Sequence, residues 1–277
     1  MIIERNDFNI TSILECGQLF RYEKLGENHY IILANNRLLE ISQEGNKINF
    51  INSDDDFWLD YFDLNTNYHT MQEDILNHEP RLAPIIDGGL RILNQNHFET
   101  IISFICSQNW KMTQTKNLLN NISKFCGDEI IYNNKKYYEF PSIEKLKNMT
   151  IDDFKDCKSG FRNTYLYDAI QKINQKEIDL NTENIFDELL KIKGVGNKVA
   201  SCITLFGYHD FNIFPIDTWI RKFMIKNYFD DEDVSLKEID VKSIEVFGQY
   251  RGLAQQYIFK KIIEKNNIFD LNKKRYE

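Results

Sequence analysis

The chain of 277 residues is 42% hydrophobic, 27% charged and 13% aromatic. These are globular values, and they exclude a disordered, collagenous or membrane-embedded chain. The formal charge of −8 argues, taken whole, against a nucleic-acid binder, but residues 1–90 hold 6 basic and 16 acidic side chains while 91–277 hold 28 and 26.

Residues 1–65 read as β-rich. Strands at 30–33 and 37–41 flank the turn signal Ala34-Asn35-Asn36, and a second turn at Gln43-Glu44-Gly45-Asn46 leads into an alternating strand at 47–51. Asp54-Asp55-Asp56 reads as a solvated cap or loop rather than a metal site. From about residue 68 the texture turns helical, with strong apolar periodicity at 98–107 and 113–125. An aromatic hairpin is expected at 130–138 around Asn133-Asn134. Thr150 to Asp153 resembles a capping box with Asp for Glu, and Asn163 reads as the cap of a helix at 165–172. The N-terminus is charged at Glu4 and Arg5 and lacks the apolar core of a secretory signal. The apolar run 101–106 falls far short of the about 20 residues that span a bilayer. Cys16, Cys106, Cys126, Cys157 and Cys202 are odd in number and form no CxxC pair, which argues against a disulfide framework or a cysteine-ligated metal. A soluble, cytoplasmic protein follows.

The most informative stretch runs from Thr182 to Lys226. A helix at 185–192 is interrupted by Lys193-Gly194-Val195-Gly196-Asn197. A second helix follows at 198–206, with Gly207 in the place of a C-cap. Glycines permit positive φ and close backbone approach, and the free N–H groups of the second helix favour an anion such as a DNA phosphate. Residues 191–226 hold six basic side chains and two acids, as a surface that tracks a nucleic-acid backbone would. Spacing alone leaves a plain αα-hairpin equally open. Lys198 lies in the first turn of the second helix, where the dipole disfavours its proton and makes a neutral, Schiff-base-forming amine more accessible. Nineteen residues on, Phe214-Pro215-Ile216-Asp217-Thr218-Trp219 brings Asp217 to the start of another helix, a position it would fill as a cap.

At this point a resemblance appears. Residues 190–202, from Leu190 through Lys198 to Cys202, followed by Pro215-Ile216-Asp217-Thr218-Trp219, resemble the helix-hairpin-helix, Gly/Pro-rich, Asp-containing DNA glycosylase superfamily. Within it the 8-oxoguanine DNA glycosylase/AP lyases match best. Gly17-Gln18-Leu19-Phe20-Arg21, Phe104 to Asn109, Ser159-Gly160-Phe161-Arg162 and Ala254 to Phe259 resemble further elements of that family in the same order, from about residue 12 to 262.

The resemblance implies an α+β fold, with a small twisted antiparallel β-domain at 1–90 and a larger all-α body at 91–277 whose hairpin spans about 185–207. It implies duplex DNA containing 8-oxoguanine as substrate, and no cofactor. The four-cysteine iron–sulfur cluster of some superfamily members has no ligands here, since no cysteine follows Cys202. By similarity Lys198 is the nucleophile and Asp217 the motif acid that stabilises developing positive charge on the sugar. Gly17, Cys202, Gln255 and Phe259 form the base pocket: the Gly17 carbonyl faces N7, Cys202 and Phe259 stack, and Gln255 reads the Watson–Crick edge. Without the family, Gly17 reads as a turn glycine and Cys202 as a small buried hydrophobe. Asn109, Phe161 and Arg162 enter the duplex and face the widowed base. Gly194, Val195, Gly196 and Asn197 hold phosphate, and related hairpins hold a monovalent ion at their carbonyls. A monomer is expected.

Two departures stand out. Gln114 falls where eukaryotic members carry a cytosine-selecting arginine, and Trp219 replaces a histidine. Another oxidised base, or a non-catalytic DNA-structure binder, is the alternative reading; retention of both Lys198 and Asp217 disfavours the binder.

Overall fold

The computed structural model describes residues 1–230 and 232–271. Strands β1 (Ile2–Glu4), β2 (Tyr22–Gly26), β3 (His29–Ala34), β4 (Arg37–Glu44) and β5 (Lys47–Phe50) form one antiparallel sheet in the order β1-β5-β4-β3-β2. Asn35 and Asn36 turn β3 into β4 with φ of 48° and 59°, the left-handed pair that a two-residue turn needs and that asparagine tolerates. Helix α1 (Ile10–Leu14) and helix α2 (Phe57–Tyr61) close one face of the sheet over Tyr30, Ile32, Leu39, Ile41, Ile48 and Phe50, all fully buried. Asp55 accepts from Phe57 N at 2.9 Å and meets Arg37, as a loop-and-cap reading of the acidic run expects.

The opposite face is covered in part by a ribbon, β6 (Glu129–Tyr132) and β7 (Lys135–Tyr138), turned by Asn133 and Asn134. Its Tyr137 packs on Ile31 and Leu33, and Tyr132 Oη donates to Glu40 at 2.5 Å. Arg21 links the two parts by pairing with Glu99 and donating to the Tyr138 carbonyl.

The remaining helices form a second, larger core. They are α3 (Tyr68–His78), α4 (His97–Ser107), α5 (Met112–Cys126), α6 (Ile143–Leu146), α7 (Ile151–Asp156), α8 (Asn163–Asn174), α9 (Ile185–Leu190), α10 (Asn197–Tyr208), α11 (Thr218–Tyr228), α12 (Leu236–Phe247) and α13 (Arg251–Lys265). Tyr68 and Ile75 of α3 belong to this helical core, although compositionally they fall in the acidic first ninety residues. The box at Thr150 forms: its Oγ1 accepts from Asp153 N, and Asp153 accepts from Thr150 N.

Two caps differ from expectation: α8 begins at Asn163 with Arg162, not Asn163, in the N-cap position, and the other lies at Gly207. Gly207 does not end its helix; α10 runs to Tyr208, and His209 is the left-handed C-cap at φ 53°. A side chain at Gly207 would stand 3.2 Å from Thr100. The glycine serves the close crossing of α4 and α10, a packing cause that local pattern does not carry. No helix among the described residues is long and apolar enough to cross a membrane.

Candidate active site

The segment between α9 and α10 is held from below by α8. Asp168 Oδ2 accepts from Lys193 N at 2.7 Å, and Lys172 Nζ donates to the Lys191 carbonyl at 2.6 Å while pairing with Asp168 at 3.1 Å. Gly194 sits at φ +78°, and a Cβ there would lie 2.4 Å from ring atoms of Tyr165. Val195 is buried; Gly196 and Asn197 are exposed at the N-terminus of α10. Gly196 has φ −104° and nothing within 4 Å of an added Cβ. The two glycines therefore differ: one is demanded by the fold, the other leaves open space before the helix N-terminus. Gly194→Ala should cost about 2–4 kcal/mol, from positive φ plus overlap with the ring. Gly196→Ser, a good N-cap, should leave the unfolding midpoint unchanged. Equal midpoints for the two variants in thermal unfolding would refute this account.

Lys198 is the second residue of α10, and its side chain is open to solvent. Its ammonium is nonetheless held above the ordinary value. The Cys202 sulfur, one turn on and hydrogen-bonded to the amine, is the largest cause; partial burial opposes it, and the Asp217 carboxylate adds to it. The direction is the opposite of the more accessible neutral amine expected from the place of Lys198 in the first turn of α10. Burial pushes the Cys202 thiol up, with Lys198 pulling the other way.

Asp217 follows Pro215 and caps α11, its Oδ1 accepting from Ile220 N at 2.8 Å. Its charge is felt at both Lys198 and Cys202. Cap and site acid are thus one residue. A lysine and a thiol share the first two turns of α10, and the half-buried carboxylate at the start of α11 acts on both, as an amine nucleophile with an electrostatic partner requires.

A second group lies between the N-terminal part and α13. Gly17 has φ +86°, and the position of its missing Cβ is 3.4 Å from Phe259 Cε1. Gln18, fully buried, fixes this turn: its Nε2 donates to the carbonyls of Ile13 and Arg91, and its Oε1 accepts from Leu93 N. Gln255 lies one turn before Phe259 on α13 and is 4% exposed.

The third group is Asn109, Phe161 and Arg162. Asn109 is exposed with φ +55° just past the end of α4. Phe161 is 50% exposed, its ring edge-to-face with Tyr165 at 5.8 Å. Arg162 is fully buried. Its guanidinium donates to the Gln108 carbonyl, stacks 3.5 Å over Trp110 and lies 4.3 Å from the Phe161 ring. Arg162 was expected to face an estranged base; in the free protein it fastens the Asn109 loop to the Phe161 turn instead. Gln114 accepts from Lys111 N and lines a crevice of about 430 Å³ with Trp110, Asn117, Leu118, Asn121 and Lys158, none of them arginine. Trp219 is partly exposed beside Lys222.

Sequence reasoning missed the clamp of Tyr165, Asp168 and Lys172. Their spacing along one face of α8 was visible, but the hairpin they hold lies a helix away. No cluster of metal-binding side chains occurs among the described residues.

Comparison with known proteins agrees with this fold. Residues 1–101 match the family model described as the 8-oxoguanine DNA glycosylase N-terminal domain. The crystal structure of Clostridium acetobutylicum 8-oxoguanine glycosylase/lyase, in complex with double-stranded DNA containing cytosine opposite 8-oxoG, superimposes with a TM-score of 0.87. It shares 37% identity over 96% of this chain and 98% of that one. Among curated sequences, the N-glycosylase/DNA lyase of Saccharomyces cerevisiae is 22% identical over 95% of this chain and 85% of its own. A probable N-glycosylase/DNA lyase of Methanothermobacter thermautotrophicus is 28% identical over 72% and 70%.

Proposed function

Because the chain belongs to the 8-oxoguanine DNA glycosylase/AP lyase family of base-excision repair, we propose that Lys198 is its nucleophile and that the strand is cut by β-elimination. The supporting observation is the meeting of Lys198, Cys202 and Asp217 at the open end of the hairpin.

In this reading the lesion is flipped out of the duplex, since its glycosidic bond is otherwise unreachable. The neutral Lys198 amine attacks C1′. The C1′–N9 bond breaks, and its electron pair leaves with the base, which takes up a proton. The sugar ring opens at C1′–O4′, O4′ taking one proton from the nitrogen, to give a protonated imine between C1′ and Nζ. That imine acidifies C2′–H. Loss of this proton forms a C2′=C3′ double bond and expels the 3′ phosphate. Asp217 stabilises the positive charge that develops on the sugar.

Recognition rests on one proton. N7 accepts in guanine and carries hydrogen in 8-oxoguanine. A carbonyl at Gly17 would bond to the lesion and repel guanine, worth about 1–3 kcal/mol of discrimination. The φ of +86° at Gly17 and its contact with Phe259 support a pocket with a carbonyl on its wall and a ring on its floor. The hairpin 194–197 takes backbone phosphate, Asn109 and Phe161 enter the duplex, and the acidic first ninety residues steer DNA toward the helical cleft.

The test is borohydride trapping on a duplex with a single 8-oxoguanine opposite cytosine. A covalent adduct specific to the lesion is expected; tight binding without an adduct would refute the imine route. A further expectation concerns the opposite strand. With Gln114 and no arginine in the crevice beside Asn109, excision rates opposite C, A, G and T should lie within about tenfold, given about 1–3 kcal/mol for a good bidentate base contact that is absent here. Strict dependence on C in single-turnover assays would overturn it.

A further inference from the structure

The Watson–Crick edge of a flipped guanine offers one acceptor, O6, and two donors, N1–H and the 2-amino group. A single glutamine carboxamide has one oxygen with two lone pairs for those two donors, and here one of the two lone pairs is taken by a neighbour. In this protein Gln255 is followed by a second glutamine. Gln256 is 2% exposed, and its Nε2 donates to Gln255 Oε1 at 2.8 Å. The other end of the Gln256 carboxamide, Oε1, is buried with no partner. This carboxamide pair satisfies one end of Gln256 and leaves its acceptor end bare.

A bare buried acceptor is disfavoured in a free protein and calls for a reason. Leucine or methionine at this place on α13 would remove that acceptor, though it would also take away the donor that Gln255 Oε1 uses. The bare atom belongs to the carboxamide that is bonded to Gln255, and a donor arriving with the substrate would satisfy it.

We propose that Gln256 is a second base-reading residue, which fixes the orientation of the Gln255 carboxamide and accepts a hydrogen bond from the 2-amino group of the flipped lesion. The proposal rests on the pocket reading of Gln255. It makes the site selective for guanine-type oxidised bases, through two adjacent amides rather than one.

The test compares single-turnover rates of the full-length enzyme on three duplexes: 8-oxoguanine, 8-oxohypoxanthine (the same base without its 2-amino group) and a preformed abasic site. Gln256→Met keeps the volume and removes both polar ends. It should slow 8-oxoguanine excision by about tenfold, the scale of a lost hydrogen bond plus a freed Gln255 amide. It should narrow the difference between the two bases, and it should leave cleavage at the abasic site within about twofold. Its melting temperature should stay close to that of the parent, because one bare acceptor is exchanged for another: Gln256 Oε1 goes and Gln255 Oε1 loses its donor. Equal slowing on both bases would overturn the 2-amino contact. Equal slowing on all three substrates would show a packing role, and no slowing would remove Gln256 from recognition. Gln255→Met separates the two levels: if it too leaves 8-oxoguanine excision unchanged, the pocket reading fails, whereas if it alone slows excision, only the role of Gln256 fails.

Discussion

Replacing Lys198 with glutamine should leave binding to 8-oxoguanine duplexes within a few-fold of the parent and abolish the borohydride-trapped adduct. Excision and strand cleavage should both fall by at least about 10⁴-fold, or more than about 5 kcal/mol of transition-state stabilisation. Both activities fall together because one nitrogen carries both steps: with no attack at C1′ there is no imine to acidify C2′–H. The fold should tolerate the change. Glutamine and lysine have similar helix propensities, and removing a cation from a helix N-terminus is mildly favourable. Cleavage that persists in the variant would move the nucleophile elsewhere. The charge state adds a second signature. In the free enzyme Cys202, and then Asp217, hold the Lys198 proton on, so kcat/KM should climb with pH as the ammonium deprotonates. Cys202→Ala removes the largest cause of the upward shift. On a preformed abasic site, where no base needs stacking, its pH limb should move toward lower pH at the alkaline end, with little change at neutral pH, where the buried Cys202 thiol is uncharged. An unmoved limb would show that the sulfur does not control the amine.

Local pattern carried much of the architecture. Asn35-Asn36 and Asn133-Asn134 named their turns because asparagine tolerates the left-handed pair that such turns need, and Thr150 with Asp153 named a helix start. What pattern did not carry came from contacts distant in sequence. Gly207 reads as a helix end until Thr100 is seen against it. Arg162 reads as an exposed reader until Trp110 and the Gln108 carbonyl are seen to bury it. The protonation of Lys198 could not follow from its place on α10, because the groups that set it stand one helical turn on and on another helix. The link between Gly17 and Phe259 came only from resemblance; no local rule joins a turn glycine near the N-terminus to a ring on α13.

Asp217 offers a prediction in which two roles separate. Its carboxylate both caps α11 and lends charge to Lys198 and Cys202. Asparagine caps as well as aspartate, so Asp217→Asn should keep the melting temperature while removing the charge. Excision should then fall by about 10²–10³-fold, the usual cost of losing one preorganised electrostatic partner. Alanine should lose the same activity and about 1 kcal/mol of stability besides. An opposing effect exists. Without the carboxylate, Lys198 releases its proton more readily, and more of the amine is free at neutral pH. That gain cannot prevail, because Asp217 ranks behind both Cys202 and burial among the influences on the lysine, whereas the positive charge of the departing-base transition state would lose its electrostatic partner outright. The Asp217→Asn profile should therefore sit far below the parent at every pH, with its rising limb displaced toward lower pH. A variant that melts like the parent and excises like it would reduce Asp217 to a helix cap, and would leave the charge on the sugar to be met by some other group.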